Sequence, residues 1–255
     1  MKHIYLLVFA AIILLAGCSS DDKTSVSDDQ MDDASEGLLL KSVYRDGELF
    51  DYYEYDSEQR VSKRIPTVGS GSIYFLYEYV GDNSILRIYD VTEKLLLTDT
   101  YYRINATSYR SDRVYEPIAP NQDSYFIVNH TPEGCGINSR LGYYIDGSEY
   151  YSQIFEYNGI QCNDTEVATY INDVVIKYVR IRDEGKFAFA STYIRETNIS
   201  PKHNILSETR YNENDEVEET ASFTSIFEYN DLDYPITEVR TFLNGSVQNY
   251  TYEYY

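Results

Sequence analysis

The sequence predicts an all-β protein: an antiparallel meander of β-hairpin repeats, laid out as an extended or rolled single sheet, with no helix after an N-terminal leader. Three observations predict it. A tripeptide of aromatic, Glu and Tyr recurs as Tyr53-Glu54-Tyr55, Tyr77-Glu78-Tyr79, Phe155-Glu156-Tyr157, Phe227-Glu228-Tyr229 and Tyr252-Glu253-Tyr254. Its starts lie 24, 78, 72 and 25 residues apart, close to multiples of 24, and a period of that size marks a repeat architecture. The surrounding runs are rich in Tyr, Phe, Val, Ile and Thr, which suit a pleated, half-buried surface. Turn signals such as Asp46-Gly47, Asp146-Gly147, Asn158-Gly159 and Asn244-Gly245 separate these runs and supply the positive φ angles of tight hairpins.

The first element is the leader. Lys2 and His3 precede an apolar run from Ile4 to Ala16, too short and too terminal for an ordinary membrane span. It ends in Leu15-Ala16-Gly17-Cys18, which resembles the lipobox of bacterial prolipoproteins. The resemblance implies a signal peptide over 1–17 and an acylated N-terminal Cys18, whose chains hold the protein to a membrane. Residues 18–37 follow as a lipidated acidic tether with seven acids and one Lys. So few apolar groups and so much charge leave too little burial to offset ordering entropy. The acidic run also resembles the surface-export signal of Bacteroidota lipoproteins. That implies an outer-membrane, lipid-anchored location facing the cell surface, with the periplasmic face as the alternative.

Residues 38–255 form the Tyr-rich repeat domain. Within each tripeptide the two aromatics lie two residues apart and share one strand face, while Glu points to the other. Tyr53, Tyr55, Tyr77, Tyr79, Phe155, Tyr157, Phe227, Tyr229, Tyr252 and Tyr254 are therefore expected to form the packing layer, and the Glu row a solvated face paired with Lys and Arg across the strands. Turn formers follow several copies (Asp56, Asn158, Asn212, Asn230). Strings such as Phe50 to Asp56 and Phe227 to Ile236 resemble the Tyr-Asp (YD/RHS-like) hairpin repeats of Bacteroidota lipoproteins of unknown function. That resemblance implies architecture and carries no catalytic residues. The segment from about 104 to 140, with Pro117, Pro120, Pro132 and Gly134, departs from the pattern and reads as an irregular insertion.

Composition bounds the function. A net charge of -21 excludes a nucleic-acid partner, because phosphate binding needs a basic footprint. Cys135 and Cys162, in an exported protein, are expected to form a disulfide. His130 and His203 each stand alone, without the spacing of a zinc site. No Gly-x-Ser-x-Gly elbow occurs, and the Gly-Ser run at 68–72 lacks the Lys of a phosphate loop. No catalytic residue, metal or cofactor is expected. The 29 Tyr without any Trp read as packing residues rather than a glycan platform. The resulting expectation is a non-catalytic, surface-anchored lipoprotein serving as a structural or a protein- or glycan-binding module. The alternative is a glycan-processing enzyme or an accessory subunit of a polysaccharide-utilisation system.

Overall fold

The computed structural model describes residues 37–67, 73–105, 107–115, 124–130, 137–158, 163–170, 175–189 and 203–255. The leader, the tether, Cys18, Cys135 and Cys162 lie outside the described residues. The strands, in chain order, are β1 (Leu40–Arg45), β2 (Glu48–Tyr55), β3 (Val61–Pro66), β4 (Ile73–Val80), β5 (Asn83–Asp90), β6 (Leu95–Asn105), β7 (Ser108–Tyr115) and β8 (Ser124–His130). They continue as β9 (Ile137–Tyr144), β10 (Glu149–Asn158), β11 (Asn163–Tyr170), β12 (Val175–Arg182), β13 (Ile205–Tyr211), β14 (Phe223–Tyr229), β15 (Pro235–Phe242) and β16 (Val247–Tyr254). Strands β7 and β8 fall within residues 104–140.

Each strand pairs antiparallel with the next, and β16 returns to pair with β1, closing the sheet into a barrel. The seam joins Val43 to Tyr252, Tyr44 to Thr251 and Arg45 to Tyr250. This corrects the open or rolled sheet expected from the sequence. The physical reason is the edge: an open meander leaves two strands with unpaired N–H and C=O groups, and pairing the first with the last satisfies both. A hairpin repeat specifies neighbours only, so closure between residues some two hundred positions apart leaves no local mark.

The turns explain the hairpin geometry. Asp56, Asp90, Asn212 and Asn230 each accept backbone N–H groups from the second and fourth residues after them, for example Glu58 at 2.9 Å and Arg60 at 3.0 Å on Asp56. The third residue after each adopts a positive φ: Gln59 at 60°, Glu93 at 64°, Asp215 at 61° and Asp233 at 63°. A short polar side chain thus holds a five-residue turn whose left-handed position would otherwise favour glycine.

Candidate functional site

Alternation along each strand sends every second side chain inward. The aromatics of the repeat point in, with Tyr53 and Tyr252 buried and their companions Tyr55, Tyr77, Tyr79, Phe155, Tyr157, Phe227, Tyr229 and Tyr254 half-buried. They do not fill a purely apolar core. Asp51 lies two residues before Tyr53, Asp99 two before Tyr101, and Ser225 two before Phe227, so polar groups share the inner face.

These inward acids are met by arginines on neighbouring strands. Asp51 on β2 receives a two-pronged pair from Arg64 on β3, both contacts at 2.9 Å. Asp99 on β6 receives the same from Arg113 on β7, at 2.8 and 2.7 Å. On β11, Asp164 and Glu166 contact Arg180 at 2.9 and 2.6 Å, Arg180 also reaches Glu208 on β13, and Arg182 reaches Asp164 at 2.7 Å. On β15, Glu238 accepts from Ser225, Arg240 and Tyr252 at 2.6, 2.9 and 2.5 Å. Forked arginine–carboxylate pairs are geometrically specific and satisfy groups that would be costly to bury alone. The cross-strand pairing expected of the Glu row is seen outside at Glu78–Arg87, 2.5 Å, whereas Arg64 and Arg240 turn inward. Asp51, Asp99 and Glu238 were legible from parity: each sits an even number of residues from an aromatic of its own strand, Tyr53, Tyr101 and Phe242.

The second Tyr of the repeat has a further task. Tyr55 donates its hydroxyl to the Leu40 carbonyl, Tyr79 to Val61, Tyr157 to Ile137 and Tyr254 to Pro235, at 2.7–2.9 Å. Every acceptor is the first residue of the preceding strand. The phenols therefore latch one rim of the barrel. Tyr229 instead reaches Asp183, in the connection after β12.

That connection enters the barrel from the latched rim. Ala188 is buried against Leu40, Val43, Tyr53, Val61 and Tyr252, and Phe189 meets the Tyr252 ring edge-on at 6.0 Å. Asn204 holds it by donating to the Lys186 carbonyl and accepting from the Ala188 N–H. Burial raises the Asp183 carboxyl above its ordinary range, opposed by donors from Asn204. At exposed turns the Thr92 hydroxyl lowers Asp90 and the Ser148 hydroxyl lowers Asp146.

The outer wall is mixed. Glu54, Lys63, Glu78, Arg87, Arg110, Asp112, Glu156, Lys177 and Glu228 lie among outward Thr, Val and Ile, and Arg110 pairs with Asp112. No group of three or more His, Cys, Asp and Glu among the described residues is arranged to hold a metal.

No protein-family model matches the chain, and no curated protein matches it. Solved structures do. The barrel is similar to a porin-like protein from Bacteroides uniformis, with 10% identity and a TM-score of 0.54 over 80% of this chain and 90% of that one. It is also similar to a porin-like protein from Bacteroides vulgatus, with 12% identity and a TM-score of 0.53 over 85% of this chain and 99% of that one. The likeness is one of fold. It overturns the expected surface module, structural or protein- or glycan-binding, and with it the glycan-processing alternative. Both placed function on a sheet face or a scatter of acids, whereas the strands close into a barrel.

Proposed function

We propose that the chain is a porin-type barrel working at the outer membrane, whose polar lumen admits small hydrophilic solutes. One observation carries this: a closed sixteen-strand wall lined by ion pairs and phenols. A wall of that strand number encloses more space than its own side chains fill.

The outer wall bears on how the barrel is held. Outward Lys63, Arg87, Arg110 and Lys177 would each cost about 2–4 kcal/mol at a bilayer midplane, and an unbroken apolar band is what lipid requires. Most strands here run eight residues or fewer, against about 9–11 for strands that span a bilayer. We therefore place the wall in water beside the membrane. Attachment falls to an acylated Cys18 after loss of residues 1–17, through the tether of residues 18–37. Strands β8 and β10 end at the same rim, and the proposal includes a Cys135–Cys162 disulfide between the segments that follow them.

The test is size-limited access to the lumen. In a barrel with Cys135 and Cys162 replaced by Ser, inward Leu86→Cys should react with a small methanethiosulfonate but not with a maleimide on a long polyethylene glycol chain. Outward Ile226→Cys, 73% exposed, should react with both. If Leu86→Cys excludes the small reagent or accepts the polymer, the lumen reading fails.

A further inference from the structure

The charge of the chain is not evenly spread, and Arg140 of the inner wall combines a buried Nε without a partner with the lack of an ion pair among the described residues. The protein as a whole carries -21, yet its inner wall is studded with guanidinium groups. Arg64, Arg113, Arg180, Arg182 and Arg240 each reach a carboxylate within 3 Å. Arg140 on β9 faces Gln153 on one side and Val128 on the other, and forms no ion pair among the described residues. Its Nε is shut off from solvent without a hydrogen-bond partner. A guanidinium offers five donors and cannot lose its proton in a protein, so one whose Nε goes unanswered inside a barrel is open to a further acceptor.

Its surroundings fix where that acceptor would sit. The Arg140 guanidinium carbon lies 4.3 Å from the Phe126 ring centre, and Arg113 approaches the same ring at 5.2 Å. Arg113 is already committed to Asp99, so the local sum of Arg113, Arg140 and Asp99 is one positive charge. Two residues along β9, Gly142 leaves the inner face bare. A Cβ there would come within 3.0 Å of Phe126 and Tyr150 and 3.1 Å of Tyr151. The missing side chain lets these rings close in, with Tyr150 and Tyr151 edge-on to Phe126 at 5.9 and 6.3 Å. A guanidinium without a carboxylate partner among the described residues, beside an aromatic corner, suits an oxyanion borne on a compact ring or chain.

We infer that the lumen contains an anion-binding site in which the Arg140 guanidinium receives the carboxylate or phosphate of a small solute, against the Phe126–Tyr150–Tyr151 corner. The inference rests on solute access to the lumen, and adds a sign and a place to it. The acidic exterior would then disfavour anions at large, and Arg140 would favour those that enter.

The intact barrel is titrated calorimetrically with glucuronate and with inorganic phosphate, with glucose as the uncharged control. Saturable binding of glucuronate without binding of glucose is expected, weakening as salt is added. Glucuronate without phosphate assigns the site to carboxylates, and both together assign it to oxyanions generally. Arg140→Gln should weaken binding about tenfold or more, the loss of one charge-assisted contact, and Arg140→Lys by less. Arg110→Gln on the outer wall should change nothing. Absence of anion binding by the wild-type barrel overturns the site, as does unchanged binding by Arg140→Gln. The wild-type titration decides even if a variant fails to fold. Labelling of Leu86→Cys by an uncharged small thiol reagent reports lumen access separately, so a barrel that opens but binds no anion refutes the site alone.

Discussion

Glu238 is where the polar interior is most exposed to a decisive perturbation. Its carboxylate is 2% exposed and receives three donors from three strands: Ser225 on β14, Arg240 on β15 and Tyr252 on β16. Arg240 is held in turn over the Phe223 and Tyr250 rings at 4.1 and 4.9 Å, so it cannot follow a lost partner without leaving both. Glu238→Ala strands a guanidinium and a buried phenol and opens a void, a change that costs about 3–5 kcal/mol when one partner of a buried pair is removed. At about 2–4 °C per kcal/mol for a chain of this size, the melting temperature should fall by roughly 6–20 °C. Glu238→Gln keeps the volume and an acceptor for Ser225 and Arg240, and the amide can donate to the Tyr252 hydroxyl. Only the charge is lost, for about 1–2 kcal/mol. Glu156→Ala, exposed on the outer wall, should stay within about 0.5 kcal/mol. Melting curves by circular dichroism on the three variants decide the matter. Equal midpoints for Glu238→Ala and Glu156→Ala would refute the claim that inward acids hold the wall together.

The rim latches make a second prediction: Tyr55→Phe, Tyr79→Phe and Tyr254→Phe should each cost about 1 kcal/mol in denaturant titrations, and a change of the outward Tyr52 to Phe should cost less. A third concerns pH. Asp183 holds its proton more tightly folded than unfolded, so its contribution declines as pH rises from the ordinary Asp value through the raised one. Relative to wild type, Asp183→Asn should therefore gain stability as pH rises above the ordinary Asp value, and a stability difference independent of pH would contradict the burial. Finally, Cys18→Ala should release the barrel from sedimented membranes or leave an uncleaved precursor, and residues 38–255 alone should stay soluble without detergent. Processing and sedimentation like wild type would remove the acyl anchor from the account, and a detergent requirement would put the wall in lipid.

Much of this architecture is local, and local physics wrote it into the chain. A period of two along each strand separates Tyr53 and Tyr55 from Glu54, and the same parity runs through all five copies of the repeat. Asp56, Asn212 and Asn230 mark turns because a short polar side chain can satisfy two backbone N–H groups within four residues. The inner ion pairs were half legible: Asp99 and Arg113 show the right parity, but partnership depends on a register that β6 and β7 set jointly. Arg140 was not legible at all, since lacking a carboxylate partner among the described residues is a property of everything around it. The acidic composition likewise concealed an arginine-rich interior, because net charge carries no direction. What the sequence by itself determined was strands, turns and which side chains share a face, all consequences of a few neighbouring dihedrals. Whether the meander ends in two open edges or in a seam between Val43 and Tyr252 was decided only by the tertiary structure, where the twist accumulated over sixteen strands brings the first and last within hydrogen-bonding reach.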